Sequence, residues 1–363
     1  MARTVIVNGK FLSAGPTGVH RVAIELANAL AALKAEGAPA LAGTELVVWA
    51  PRKGEANAPA MALPTRIRGP LNDIPWEQIT LPLAKRNALL LNLCNIGPML
   101  SRDAVTMIHD AQVHLSPQSY GRGFRAWYHL VQPILGRRNR MILTVSDYSR
   151  RQIAQAGVAP IERIHVVHNG VDHMLRIAAE PDVVERLGLA AGGYALSFAT
   201  LQAHKNVPLL LRAFADPRLA GLKLVLVGGA SRADFAAAGH DVPDNVVFAG
   251  TVADGALRAL MEAALCLAFP STTEGFGLPP LEAMLLGCPA VVAPCGALPE
   301  VCGKAALYAA SDDAAAWAAA IAGLAADPSA RAERVAAGRA QAAAFTWRGA
   351  AERLTAILRP HLQ

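Results

Sequence analysis

Residues 269–294 read FPSTTEGFGLPPLEAMLLGCPAVVAP. The stretch opens on the end of an apolar run, CLAFP, and passes through a loop that holds Gly275 and Gly277. Pro279 and Pro280 then suit the first turn of a helix that runs to Leu286 and stops at Gly287, before a second apolar run, PAVVAP. This is a strand–loop–helix–strand unit, and it implies a parallel sheet covered by its helices. Two glutamates stand eight positions apart around the glycine loop, Glu274 before the helix and Glu282 expected within its first turn.

The same alternation extends in both directions. Upstream, TVIVNG, LVVWAP, ALLLNL, VTMIHD, MILTVSD and IHVVHNG read as strands that end in polar or turn-forming residues. GVHRVAIELANALAAL reads as an early helix, and a later one starts after Ser146, its expected N-cap. The pattern pauses across residues 170–193, then restarts with YALSFAT, LKLVLVGG, NVVFAGT, CLAFPS, PAVVAP and AALYA. Two α/β series predict two Rossmann-like domains, residues 1–185 and 186–345. An amphipathic segment, 347–358, is expected to return to the first domain as a closing helix within residues 346–363. The alanine-rich stretch 309–344 is expected to be helical by propensity. In open parallel sheets ligands bind beyond the carboxyl ends of strands, which directs attention to loops 8–18, 109–116, 168–172, 199–206, 228–231 and 271–277.

The bulk numbers agree with a folded two-domain chain. Of 363 residues 53% are hydrophobic and 17% charged, which excludes a disordered polymer. The most apolar candidate span, residues 314–326, falls short of the roughly 20 residues a membrane helix needs. The N-terminus reads as a first strand and not as a signal peptide. Five cysteines form no CxxC pair and no zinc spacing, so buried reduced thiols in a cytoplasmic protein are expected. Charge is uneven. Residues 1–200 carry 21 Lys and Arg against 14 Asp and Glu, a balance of +7, while residues 201–363 carry 13 against 14. Residues 122–151 hold seven arginines and one acid, Asp147. That stripe is either a solvated face or an attraction for phosphates or an anionic lipid surface. No nucleic-acid-binding motif accompanies it.

A helix N-terminus preceded by glycines is a good anion site, because amide groups face outward and a ligand can approach the backbone closely. A carboxylate accepts hydrogen bonds from two neighbouring hydroxyls, so Glu274 and Glu282 could each hold one vicinal diol. A ligand with a diol at each end and a diphosphate between them is a nucleotide sugar. The plainer reading is that both acids merely favour the helix start by charge and capping.

EGFGLPPLEAMLLGCPAVVA, with its E-x7-E frame, resembles the donor-site signature of the retaining GT-B glycosyltransferases of family 4. TGVHRVAIELANAL, VTMIHD, LTVSDYSRRQIA, IHVVHNGVD, LQAHKN, VVFAGTV, LPEVCGKAALY and FTWRGAAERL resemble that family's landmarks in order. The likeness covers nearly the whole chain and is most specific over residues 268–307. It implies a GT-B fold, two Rossmann-like domains with parallel sheets facing an interdomain cleft, the first for the acceptor and the second for the donor. It implies that Glu274 holds donor sugar hydroxyls and that the backbone of Gly275, Phe276, Gly277 and Leu278 contacts the sugar and diphosphate. Glu282 would hold the ribose, Lys205 would neutralise the diphosphate, Gly18 would give the phosphates room, and His109 would lie near the reacting carbon.

One departure stands out. Where relatives often carry Gly-Arg, this chain has Ala199 and Thr200. His204 precedes the lysine where some relatives carry arginine, and a neutral imidazole is a weaker phosphate partner than guanidinium. No Asp-x-Asp occurs, so neither metal nor other cofactor is expected. TGVHR and the segment after HDAQ resemble polysaccharide mannosyl- and rhamnosyltransferases. The expected reaction is transfer of a hexose, mannose from GDP-mannose for preference, to a lipid-linked or saccharide acceptor. The setting would be the cytoplasm or the inner face of its membrane. Two alternatives stay open: a non-catalytic nucleotide-sugar-binding protein, and a GT-B enzyme of another class such as an epimerase or a phosphorylase. Trp76-Glu77-Gln78 resembles a segment of some relatives, with Trp76 readable as core. Asp110 either orients His109 or caps its loop. His114, His165, His168 and His173 have no partner identifiable from sequence.

Overall fold

The computed structural model describes residues 3–362 apart from Pro16 and Arg86, and without the side chain of Pro117. The chain forms two compact units, Met1–Gly170 with Thr346–Gln363, and Val171–Phe345. The division after Gly170 falls earlier than the 185/186 boundary expected from sequence, and hydrogen bonds give the reason. Arg258 donates to the carbonyls of Met174 and Leu175 at 3.1 and 3.2 Å, and Glu180 N–H donates to Gly255 O at 3.0 Å. Residues 174–180 are thereby tied to the second unit.

The first unit is a seven-stranded sheet of β1 (Arg3–Asn8), β2 (Thr44–Ala50), β3 (Thr65–Ile67), β4 (Leu89–Asn92), β5 (Ala104–Met107), β6 (Met141–Thr144) and β7 (Ile164–Val166). Their order is β3-β2-β1-β4-β5-β6-β7, and every pair is parallel. Every residue of β4, β5 and β6 is buried, as expected where helices cover both faces. β3 has no counterpart in the sequence reading, because TRI is short and polar and lies at the sheet edge. The helix Gly18–Ala35 is capped by Thr17, whose Oγ1 accepts from His20 N–H, and buries Val22, Leu26, Leu30 and Leu33 at helical spacing. Ser146 caps Asp147–Gln155 as its position suggested, accepting from Ser149 N–H at 3.0 Å. The last helix, Trp347–Leu358, packs on Gly18–Ala35, and Arg348 meets Glu36 at 2.8 Å.

The second unit is a six-stranded sheet of β8 (Tyr194–Phe198), β9 (Lys223–Val227), β10 (Val246–Gly250), β11 (Cys266–Phe269), β12 (Ala290–Val292) and β13 (Leu307–Tyr308). The order is β10-β9-β8-β11-β12-β13, again all parallel. Leu210, Phe214, Leu226, Phe235, Trp317 and Ile321 build its core. The alanine-rich stretch is two helices, Ala314–Ala326 and Pro328–Ala342, each opened by an aspartate. Asp313 accepts from Ala316 N–H and Asp327 from Ala330 N–H, both at 2.9 Å. Among the described residues no helix is long and apolar enough to cross a membrane.

Each sheet reverses direction once, at β1/β4 and at β8/β11. Loops leaving neighbouring strands on opposite sides of such a point diverge and leave a crevice beyond the carboxyl ends.

Candidate active site

In the second unit the loops after β8 and β11 meet at the switch point. The turn Ala203–Lys205 ends on Asn206, which is left-handed at φ 53°. Asn206 Nδ2 donates to Pro270 O at 3.3 Å and Ser311 O at 2.7 Å, and Thr272 N–H donates to His204 O at 2.8 Å. These bonds clamp one loop to the other. Lys205 Nζ then reaches Glu274 Oε1 at 2.7 Å and lies 5.5 Å from the Phe269 ring centroid. The Glu274 backbone is fixed from beneath by Gly296, at φ 61°. Ala297 N–H donates to Glu274 O at 2.9 Å, and a Cβ on Gly296 would lie 2.5 Å from Glu274 N. Only glycine tolerates both that angle and that contact.

The glycine loop turns into the Leu278–Leu285 helix through Gly277, at φ 107°. The helix starts and stops as the sequence suggested, to within a residue, with Gly287 left-handed just beyond it. Two details differ from expectation. Pro279 and Pro280 carry no N–H, so of the first four helical residues only Leu278 and Leu281 can offer one, fewer than a typical helix start. Glu282 is the fifth residue of the helix and begins the second turn instead of lying in the first. The Phe276 side chain is buried edge-on against Phe345, 5.8 Å between centroids.

Glu282 is buried, and its Oε1 lies 3.3 Å from His173 Nε2. His173 is a functional candidate the sequence reading missed, since its partner lies more than a hundred positions away. His204 is also buried. Desolvation, then the neighbouring Lys205 charge, hold its imidazole pKa below the usual range against an opposing pull from Glu274, which favours the neutral ring.

Gly18 and His109 belong to the first unit. Gly18 opens its helix, and nothing lies within 4 Å of where a Cβ would stand, so packing in this unit does not demand glycine. His109 follows β5. Its N–H donates to Asn95 Oδ1 and its ring Nε2–H to Leu93 O, both at 2.8 Å. Burial lowers its pKa to about 4, so the ring is neutral near pH 7, with the proton on Nε2 and a lone pair on Nδ1. Asp110 accepts from Gln112 N–H at 2.9 Å and so caps the loop. His114 finds Gln132 Oε1 at 3.0 Å.

A buried polar chain, also missed, crosses the β1/β4 switch point. Lys10 Nζ meets Glu77 Oε2 at 2.5 Å. Asn8 Nδ2 bridges Glu77 Oε1 and Asn92 Oδ1 at 2.9 Å each, and Asn92 Nδ2 continues to Thr106 Oγ1 at 3.0 Å. Glu77 lies in a π-helical turn, Trp76–Thr80, whose Trp76 is fully buried core. The arginine stripe is not one face. It spans the helix Arg122–Arg138, β6 and the helix Asp147–Gln155. Arg140 is engaged by Asp103 at 2.5 Å and Arg150 by Asp147 at 3.7 Å, while Arg122, Arg137, Arg138 and Arg151 are exposed. Phe124 stacks on Tyr120 and Tyr128, with Phe124 exposed and Tyr128 packed on the core.

Residues 16–175 match the family model described as Glycosyltransferase Family 4, and residues 193–327 the one described as Glycosyl transferases group 1. The chain is 34% identical over 261 residues to O-antigen chain mannosyltransferase B of Escherichia coli, covering 67% of each chain. It is 27% identical over 233 residues to O-antigen chain mannosyltransferase RfbU of Salmonella typhimurium, covering 62% of this chain and 61% of that one. It is 30% identical over 228 residues to the MMP alpha-(1->4)-mannosyltransferase of Mycolicibacterium hassiacum, covering 59% and 53%. The matched stretch thus spans between 53% and 67% of the length of these three relatives. Among solved structures, Anabaena HepE in complex with UDP and glucose superposes with TM-score 0.72 at 19% identity, over 99% of this chain and 100% of that one. WaaG, a glycosyltransferase involved in lipopolysaccharide biosynthesis, gives 0.69 at 16%, over 98% and 99%. At such identities the likeness concerns the fold.

Proposed function

This chain belongs to glycosyltransferase family 4, the group 1 glycosyltransferases, and on that premise we propose that it transfers mannose from GDP-mannose to a hydroxyl of a lipid-linked or saccharide acceptor, with retention, during assembly of a bacterial surface polysaccharide. Its fold is GT-B and its relatives include O-antigen mannosyltransferases. The observation that carries the reading is the Lys205–Glu274 pair at the β8/β11 switch point, with Glu282 eight residues on.

In this reading the second unit takes the nucleotide sugar and the first takes the acceptor. Glu274 accepts from sugar hydroxyls, Glu282 from the ribose, and the backbone of Gly275, Phe276, Gly277 and Leu278 lines the sugar and diphosphate. The sugar–phosphate bond breaks with its electron pair on the phosphate oxygen, and Lys205 meets the charge that develops there. The acceptor oxygen bonds to the anomeric carbon and gives its proton to the departing phosphate, so no protein base is required. Charge at the leaving group is met by an ammonium, and we propose that no metal is used. His204, being neutral, adds at most a hydrogen bond. Gly18 and His109 take their roles from the sequence match alone, Gly18 leaving room for phosphate oxygens and His109 lending the Nδ1 lone pair to a sugar hydroxyl. The mannose assignment rests on the curated relatives. HepE was crystallised with UDP-glucose, which supports a nucleotide sugar of some kind. A cytoplasmic location with contact to an anionic inner membrane surface is part of the proposal.

The test is transfer of label from radiolabelled GDP-mannose to lipid-linked saccharide, with the product anomer read by NMR. The α-anomer is expected, and Lys205→Ala should lower turnover roughly a hundredfold, the scale of a lost charge-stabilising group. Transfer from a UDP-sugar alone would overturn the donor assignment. Conversion of the sugar nucleotide to its epimer without acceptor would replace the transferase reading.

A further inference from the structure

We propose that His173 is a positioning residue for nucleoside recognition, fixing Glu282 so that one carboxylate oxygen is held by the protein and the other is left for the ribose. This deepens the reading of Glu282 given above and rests on it. His173 lies in the short turn Asp172–Arg176, at the beginning of the second unit, and is 3% exposed. Its Nε2 is 3.3 Å from Glu282 Oε1. Oε2 of Glu282 has no hydrogen bond or ion pair among the described residues.

Burial gives this arrangement a desolvation cost. The Glu282 side chain is itself only 12% exposed, and Leu286, one turn further along, is buried. A carboxylate held there loses much of its hydration, and one imidazole nitrogen at 3.3 Å restores only part of what water supplied. Filling both positions with apolar residues would avoid the penalty. The close imidazole instead does something apolar packing cannot. It restricts rotation of the carboxylate and sets which oxygen remains available. Two adjacent hydroxyls need that oxygen at a fixed place, since hydrogen bonds weaken steeply with angle. The turn that carries His173 is itself anchored, with Val171 N–H donating to Phe345 O at 2.9 Å and Phe345 packed on Phe276.

The experiment compares binding of GDP with 2′-deoxy-GDP, and likewise UDP and ADP with their 2′-deoxy forms, to the wild type and to His173→Phe, His173→Gln, His173→Asn and Glu282→Ala. The wild type should prefer the ribo form roughly tenfold, the scale of one hydrogen bond to a charged group. His173→Phe keeps a ring without a donor and should collapse that preference toward the Glu282→Ala value. His173→Gln can place an amide N–H near the lost Nε2 and should retain part of it, whereas the shorter Asn should not. If His173→Phe does not fold, the Gln and Asn pair still decides. A merely structural histidine would weaken ribo and deoxyribo forms alike and leave the ratio intact, which would overturn the proposal. A ratio unchanged in Glu282→Ala, or absent in the wild type, would overturn the ribose reading of Glu282 and this inference with it.

Discussion

At the scale of single residues, Glu274 and Lys205 already neutralise each other at 2.7 Å. On the proposed reading, a diphosphate would compete with Glu274 for the ammonium. Glu274→Gln removes the competing charge while keeping the side chain's shape. Nucleoside diphosphate affinity should hold or rise severalfold, while turnover falls by at least roughly tenfold through the lost contact to the sugar. Equal losses in affinity and turnover would mean that the carboxylate serves the fold and not the sugar. His109 gives a second prediction. Its folded pKa of about 4 lies below the ordinary 6.5, so on acidification the unfolded chain takes up a proton that the folded chain refuses. The stability is complete above pH ~6.5 and is lost progressively toward pH ~4, on the order of 3 kcal/mol in all. His109→Gln keeps an N–H for Leu93 and should flatten urea-unfolding stability across that window. An unchanged slope would contradict the burial of a neutral ring. Glu274 and Glu282 were legible in the sequence by their spacing and Lys205 by the family resemblance, and the structure brings Lys205 and Glu274 together. His173, Gly296 and the Glu77 chain were not, because their partners are distant in sequence and brought close only by the fold.

At the scale of elements, local chemistry was read well wherever it is self-contained. Gly287 stops the Leu278–Leu285 helix, Ser146 caps another, and two aspartates divide the alanine-rich stretch. The TRI strand and the π-turn at Trp76 carry no such local signal. The Arg122–Arg138 helix combines exposed Arg122, Arg137 and Arg138 with exposed Phe124 and Leu130. Exposed cations and apolar groups on one helix suit an anionic lipid surface, each arginine adding about 1 kcal/mol there. Arg137→Glu with Arg138→Glu should cut sedimentation with phosphatidylglycerol-rich vesicles roughly tenfold or more, and leave phosphatidylcholine vesicles unaffected. Equal sedimentation of wild type and variant would remove this helix from any membrane contact.

At the scale of the molecule, two parallel sheets each reverse once, and chemistry-bearing side chains gather at both reversals. Lys205 and Glu274 stand at β8/β11, and Lys10, Glu77 and Asn92 at β1/β4. Alternating strands and helices announced both sheets, since buried parallel strands read as continuous apolar runs. The division between units was less legible, because residues 174–180 form no strand and join the second unit through backbone hydrogen bonds that leave no sequence pattern. The central claim is that the second unit binds a nucleoside diphosphate sugar through Glu282 and its neighbours. Thermal unfolding with GDP, UDP, ADP or dTDP, beside Glu282→Ala, tests it most directly. A ligand present at 100 times its dissociation constant stabilises the folded state by roughly 2.7 kcal/mol, readily seen as a shift in Tm. A shift with GDP that is lost in Glu282→Ala is expected. No shift with any of the four nucleotides, or a shift that Glu282→Ala leaves intact, would contradict it.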